Sequence, residues 1–185
     1  MKKPYDVCPE FETKSFVLRL VSENDAEDLL VCYSDPKAQA VFDSDNFISN
    51  LWYKTVDEMA DCIRFWLAEY KQQRYVRFSI VDKTTKKAVG TVEMFKIKEH
   101  LNDYSDGVLR IDIASEYETT AYISEILNIA NTEFYTLFEI EFIVMKGRPV
   151  ERSRVCALVA AGYSPYSWNN PDRKYYYGRP KFTRT

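Results

Sequence analysis

The chain has little of what builds a metal or thiol centre. Of its 185 residues one is a histidine, His100, and the four cysteines, Cys8, Cys32, Cys62 and Cys156, stand far apart with no C-x-x-C pair. A zinc site or a Cys–His nucleophile needs a closer spacing than this, so no metal is expected. An excess of charge of one sign is missing too. The 25 basic and 28 acidic residues leave a formal net charge of −3, so no global field draws the chain to nucleic acid or to an anionic membrane. No uncharged apolar run approaches the ~18 residues of a membrane span, and the opening MKKPYDVCPEFE lacks the apolar core of a signal peptide. The cytoplasm is therefore the expected location. There is no internal repeat and no low-complexity linker, which gives a single domain over residues 1–185, long enough for one substantial core.

What is present is an alternation of strand-like and helix-like stretches in an ordinary globular composition, 46% hydrophobic and 29% charged. Residues 1 to 14 show no periodicity. SFVLRLV, residues 15 to 21, reads as a strand, and Ser22-x-x-Asp25 as the capping box of a helix with Ala26, Leu29, Leu30 and Tyr33 inward. Asp35-Pro36 ends it, and a short amphipathic piece follows from Lys37 to Phe42. Residues 43 to 54 read as a loop whose Phe47, Leu51, Trp52 and Tyr53 either anchor it to the core or line a cleft. Thr55-x-x-Glu58 opens a second helix with Val56, Met59, Ile63, Trp66, Leu67 and Tyr70 on one face, running to about Gln73. Residues 75 to 81 and 88 to 97 form a hairpin, and a polar loop from Lys98 to Gly107 carries His100. EIEFIVM, residues 139 to 145, is a strand. A helix of about Glu151 to Ala161 follows, with Val155, Leu158 and Val159 buried and Gly162 at its C′ position. Residues 163 to 168 and 174 to 177 make a last hairpin. Cys32, Cys62 and Cys156 fall within helices and are expected to be buried free thiols.

The stretch that organises the rest is VLRIDIASEYETTAYISEILNIANTEFYTLF, residues 108 to 138. Leu109, Ile111 and Ile113 alternate with Val108, Arg110 and Asp112, the period of a strand. After a polar turn, Ile123, Ile126, Leu127, Ala130, Phe134, Leu137 and Phe138 form the apolar stripe of a long helix. The first N–H groups of such a helix have no intrahelical partner and can meet a phosphate.

In this order the elements resemble the GCN5-related N-acetyltransferase (GNAT) family, in particular its ribosomal-protein acetyltransferase branch. The resemblance covers nearly the whole chain through FVLRLVSENDAEDLLVCYSDPKAQAVF, KKAVGTVEMF, LRIDIASEYETTAYISEIL and RPVERSRVCALVAAGY. It implies an α+β fold, with a central mixed, mostly antiparallel twisted sheet of about seven strands flanked by about four helices. It also implies acetyl-CoA as co-substrate. In the family a Q/R-x-x-G-x-G/A turn holds the pyrophosphate through backbone amides, and the open edge of the preceding strand binds the pantetheine arm. Here Glu118 stands at the Q/R position, Ala121 at the first glycine and Ile123 at the second. The cofactor-binding candidates are therefore the edge residues Ile113, Ala114 and Ser115 and the turn residues Glu118, Thr119, Thr120, Ala121, Tyr122 and Ile123. Arg148 and Arg154, in a basic cluster with Lys146 and Arg152, are added because they could offset the Glu118 charge.

The family chemistry is direct acetyl transfer to an amine, with a general base and often a tyrosine that protonates the departing thiolate. Leu158 occupies the usual tyrosine position, and Tyr163 is the replacement considered. Glu93 and Asp112 are the base candidates, since a carboxylate partly enclosed in a cleft can take a proton from an ammonium group. Read otherwise, both are surface residues on exposed strand faces. The expected acceptor is a small-molecule amine or a protein N-terminus, with no membrane and no nucleic acid involved, and a homodimer is left open. The alternative function is a catalytically inactive GNAT-fold domain that binds a ligand or partner through Phe47, Trp52, Tyr53 and Trp66.

Overall fold

Side-chain alternation along each strand decides how this molecule is layered. The computed structural model describes residues 3–42, 53–97, 106–167 and 174–182. In chain order these form β1 (Phe11–Glu12), β2 (Phe16–Leu20), α1 (Ala26–Ser34), α2 (Pro36–Gln39), α3 (Val56–Lys71), β3 (Val76–Asp82), β4 (Ala88–Lys96) and β5 (Asp106–Ile113). There follow α4 (Thr120–Ile129), a π-helical turn (Ala130–Phe134), α5 (Tyr135–Leu137), β6 (Phe142–Lys146), α6 (Arg152–Ala160), β7 (Ser164–Tyr166) and β8 (Tyr176–Pro180). The strands make one sheet in the order β1-β2-β3-β4-β5-β6-β8-β7. Every pairing is antiparallel except β5 with β6. The expected α+β architecture and mostly antiparallel mixed sheet are present.

Both capping boxes form. The Ser22 amide donates to Asp25 Oδ2 at 2.9 Å, and Thr55 Oγ1 accepts from the Glu58 amide at 3.2 Å, each such cap contributing about 1 kcal/mol. Gly162, at φ +85°, closes α6 in the left-handed conformation that glycine adopts without strain.

Several boundaries differ from the sequence reading. β1 lies in the stretch that shows no periodicity, because two residues are too short to display one. The long helix is interrupted by its π-helical turn, and Glu139 takes φ +53°, so β6 starts at Phe142 and not at residue 139. In α6 the inward residues are Arg154, Ala157 and Leu158; Val159 is 58% exposed, so its expected burial is corrected. Cys156 is likewise exposed and Cys62 only half-buried, while Cys32 is buried. His100, Phe47, Leu51 and Trp52 lie outside the described residues, as does the turn of the last hairpin.

Two cores flank the sheet. Phe16, Leu18, Phe78, Ile80, Val92, Met94, Leu109, Ile111 and Ile113 point to one face and pack beneath Ile123, Ile126, Leu127 and Phe134. The residues between them point the other way, beneath α1 and α3, and are polar: Arg77, Ser79, Thr91, Glu93 and Asp112 are all buried. Register sets them in cross-strand rows, Arg77 opposite Glu93 opposite Arg110, and Ser79 opposite Thr91 opposite Asp112. Gly90 permits the close approach of β4 to β5, since a Cβ there would lie 2.3 Å from the Asp112 carbonyl oxygen.

Candidate functional site

The parallel partnership of β5 and β6 is short. It runs from Asp106 opposite Phe142 to Leu109 opposite Met145; β5 then continues to Ile113 while β6 ends at Lys146. Gly147 to Pro149 lead the chain off to α6. The outer edge of β5 from Arg110 onward thus has no strand beside it among the described residues. A cavity of about 90 Å³ occupies this opening. Its walls mix apolar groups, among them Phe95, Ile111 and Met145, with Glu93, Arg110, Asp112, Lys146, Arg154 and Tyr176.

The turn between β5 and α4 is tied down on both sides. The Ser115 amide donates to Asp35 Oδ2 at 3.1 Å, and the Ala114 amide to the Val89 carbonyl at 2.9 Å. Thr119 caps α4 by accepting the Tyr122 amide at 3.3 Å, and Thr120 Oγ1 donates to the Ser153 carbonyl at 3.1 Å, joining the helix start to α6. The Ile123 amide bonds the Thr119 carbonyl. Among the described residues no acceptor meets the amides of Thr120 and Ala121, and Ala121 is exposed.

The bulky residue at the second glycine position does not block this end. Ile123 is fully buried in the core under the sheet, and Tyr122 packs its ring against Phe16 at 5.2 Å. Ile113 is buried in the same core, and Ala114 packs against the opposite one. Glu118 turns inward. Its two oxygens accept from Arg154 Nε and Nη2, each at 2.8 Å, in the bidentate fork that suits guanidinium and carboxylate. Burial works against the Arg154 charge, but the bonds to Glu118 outweigh it and raise the Arg154 pKa. Arg154 is therefore Glu118's partner at the cavity wall. Arg148 is engaged elsewhere, with Glu151 and the Ala40 carbonyl.

Of the catalytic candidates, Glu93 and Asp112 come together and Tyr163 stands apart. Glu93 and Asp112 both line the cavity and are 5% and 1% exposed, so neither is a surface residue. Asp112 Oδ1 accepts from Arg110 Nε at 2.9 Å, and Oδ2 from Tyr33 Oη at 2.9 Å and Arg77 Nη1 at 3.3 Å. Burial would raise the Asp112 carboxyl, but Arg110 and Arg77 outweigh it and hold it below the ordinary carboxylate range. Such a group has little tendency to take up a proton. Glu93 accepts from Arg77 Nη2 through Oε2 alone; Oε1 meets no donor among the described residues. Tyr163 is buried beyond α6, where its hydroxyl donates to Asn131 Oδ1 at 3.0 Å, and burial pushes its pKa up. It does not line the cavity; among the described residues the tyrosine that does is Tyr176.

The sequence reading missed Arg77, Arg110 and Tyr33. Its signal was available: polar residues two apart in three successive strands, Arg77 and Ser79, Thr91 and Glu93, Arg110 and Asp112. Trp66, assigned above to a ligand cleft, lies against the Arg77 guanidinium at 4.2 Å from its ring centre.

The fold that carries this opening is shared with known proteins. The acetyltransferase (GNAT) domain family matches residues 15–163, and the chain belongs to that family. Among solved structures, the ribosomal-protein-S5-alanine acetyltransferase from Vibrio fischeri is 14% identical, with 94% of this chain and 97% of that one covered and a TM-score of 0.68. RimL, a ribosomal L7/L12 alpha-N-protein acetyltransferase solved with coenzyme A, is 12% identical, with 93% and 98% covered and a TM-score of 0.70. At these identities the likeness is one of fold. YoaA, an uncharacterized N-acetyltransferase of Bacillus subtilis (strain 168), is 21% identical over 120 residues. That match covers 65% of this chain and 63% of the relative's length.

Proposed function

We propose that the protein is an N-acetyltransferase that moves an acetyl group from acetyl-CoA to a primary amine. The observation that carries this reading is the splayed β5–β6 opening with its cavity, next to a helix start whose first two amides meet no acceptor among the described residues. The residues fit the co-substrate. The free edge of β5 suits the amides of a pantetheine arm, and the Thr120 and Ala121 amides suit a pyrophosphate. Arg154 holds the Glu118 carboxylate inward, which removes the repulsion that this residue would otherwise present to phosphate. When bound, acetyl-CoA supplies the acyl group activated as a thioester.

The chain's own groups prepare the acceptor. Glu93, with Oε1 unengaged, is the proton acceptor for the amine, and a general base in this position contributes ~10²–10⁴-fold. Asp112 is a fixed counter-ion to Arg110 and Arg77. A protein N-terminus is the preferred acceptor class, in keeping with the acceptors named for the V. fischeri enzyme and RimL, and small amines are the second class.

Titration calorimetry with acetyl-CoA and CoA is the first test. A dissociation constant at or below ~100 μM, about −5.5 kcal/mol, is expected. Release of free CoA thiol is then followed with peptides bearing each N-terminal residue and with a panel of small primary amines. Absence of binding to either nucleotide defeats the reading and leaves a GNAT-fold domain without the chemistry.

A further inference from the structure

Arg77 belongs to no part of the proposed transfer, yet it is the most heavily partnered buried cation in the described protein. It is 3% exposed. Nη2 donates to Glu93, while Nη1 reaches Tyr33 Oη and Thr91 Oγ1, both at 3.0 Å, and Asp112 Oδ2 at 3.3 Å. Trp66 covers its face. Its Nε is buried too and has no acceptor among the described residues; desolvating a guanidinium this far is costly even where its amino groups are paired, so the arrangement calls for an account beyond packing.

The account lies in how two arginines divide two carboxylates. By register Arg110 is the cross-strand neighbour of Glu93, directly opposite it on β5. Its Nε nevertheless goes to Asp112, two residues along its own strand. Asp112 thereby has donors on both oxygens, and among the described residues Glu93 is left to Arg77 alone, through one oxygen. A carboxylate bonded on both oxygens would lie flat in the network. Glu93 is held by one oxygen in a wall of the cavity, and the other has no donor among the described residues.

We propose that Arg77 is a positioning residue, whose rigid fork anchors on Tyr33, Thr91 and Asp112 with one amino group and holds Glu93 with the other, so that Glu93 Oε1 stays turned to the cavity. The planar guanidinium spans both anchor points at fixed geometry, whereas an ammonium on a flexible stem does not. The inference rests on the transfer reading for its consequence, since Oε1 is the atom that receives the acceptor's proton, but not for its geometry.

The test uses Arg77→Lys, Arg77→Met, Glu93→Gln and the double variant Arg77→Met/Glu93→Gln, assayed with acetyl-CoA and the peptide and amine panel. Arg77→Met is expected to lower kcat about 100-fold and Arg77→Lys about tenfold, with KM for acetyl-CoA within about threefold of wild type. The double variant is expected to be no slower than the slower single one, because both changes remove one function. A merely structural role would raise KM or deplete folded protein, and its losses would multiply with those of Glu93→Gln. Should Arg77→Met fail to fold, Arg77→Lys carries the kinetic comparison. A crystal structure of Arg77→Lys supplies the second readout, with the Glu93 carboxylate expected to leave the cavity wall. Glu93 found in its original place there, or kcat within about twofold of wild type in Arg77→Lys, overturns the proposal. If wild type transfers acetyl to no amine in the panel, the transfer reading fails and the place of Glu93 in that structure still decides the positioning.

Discussion

Arg154 takes both oxygens of Glu118, whereas Arg77 takes one oxygen of Glu93, and both arginines are almost fully buried. The first pair is closed: two groups, two parallel bonds, and both oxygens of the carboxylate engaged. The second is a branch of a larger network in which Asp112 absorbs three donors and Glu93 keeps an oxygen open. One arrangement withdraws a carboxylate from the start of α4, where a phosphate would meet it. The other presents a carboxylate to a cavity. The same pairing of residue types thus has opposite chemical effects, and the difference lies in how many donors surround each anion.

The comparison breaks most visibly at Asp112. Replacing it with alanine removes the carboxylate that Arg77 and Arg110 share, and removing one partner of a buried charge network costs about 4 kcal/mol. Chemical denaturation at neutral pH reads this, and a loss below about 1 kcal/mol would show that the network reorganises around other acceptors. Arg154→Met attacks the closed pair. The Glu118 side chain is 14% exposed and can rotate toward water, so the cost is smaller, about 2 kcal/mol. The freed carboxylate would then stand beside the open amides of α4, and acetyl-CoA affinity should fall at least about tenfold, or 1.4 kcal/mol. Unchanged affinity in calorimetry would mean that the pyrophosphate lies elsewhere.

The fold could be read from the sequence because its signals are local: the Ser22 and Thr55 boxes, the alternation of Phe16 and Leu18, and the stripe from Ile123 to Phe134 each declare themselves within a few residues. β1 and the π-helical turn escaped because one is too short for a period and the other hardly disturbs the stripe. The site was half legible. Glu93 and Asp112 could be singled out as carboxylates in adjoining strands, and Arg154 as an offset for Glu118. The pairing of Arg77 with Glu93 depends on which residue faces which across β3 and β4, and a shift of one position would send every one of these side chains to the opposite face. Tyr163 stood out because it follows Gly162 in sequence, yet Tyr176 is the tyrosine in the cavity wall, brought there from a later strand.

Glu118→Gln sharpens the contrast with a smaller disturbance. Glutamine keeps one acceptor for Arg154, so stability falls by about 1 kcal/mol. Arg154 then loses its bonded carboxylate, keeping only the weaker pull of Glu151 and Asp112, and acetyl-CoA should bind about tenfold tighter, again 1.4 kcal/mol. Weaker binding in this variant would assign the Glu118 carboxylate a positive part in holding the turn.

The smallest effect is the pH dependence of the Asp112 network. Burial acts to raise the Asp112 carboxyl, but Arg110, Arg77 and the Tyr33 hydroxyl hold it below its ordinary 3.8 in the folded protein. Because the folded value is the lower one, the ionised group adds stability above 3.8, and that contribution is lost as pH falls through the folded value. The stability gap between wild type and Asp112→Asn should therefore be flat from about pH 5 to pH 8 and narrow only at more acid pH. Asp25 behaves alike: burial raises its carboxyl, while Arg19 and Ser79 outweigh that and lower it, so the narrowing accounts for only part of the acid loss. A gap that stays constant down to the acid transition would mean that the carboxyl titrates in the fold as it does in the unfolded chain, and a gap that shrinks as pH rises above 3.8 would mean that Asp112 is uncharged in the fold. Arg77 would then be neutralised by Glu93 alone, and Glu93 could not be the member of the network left available to a substrate.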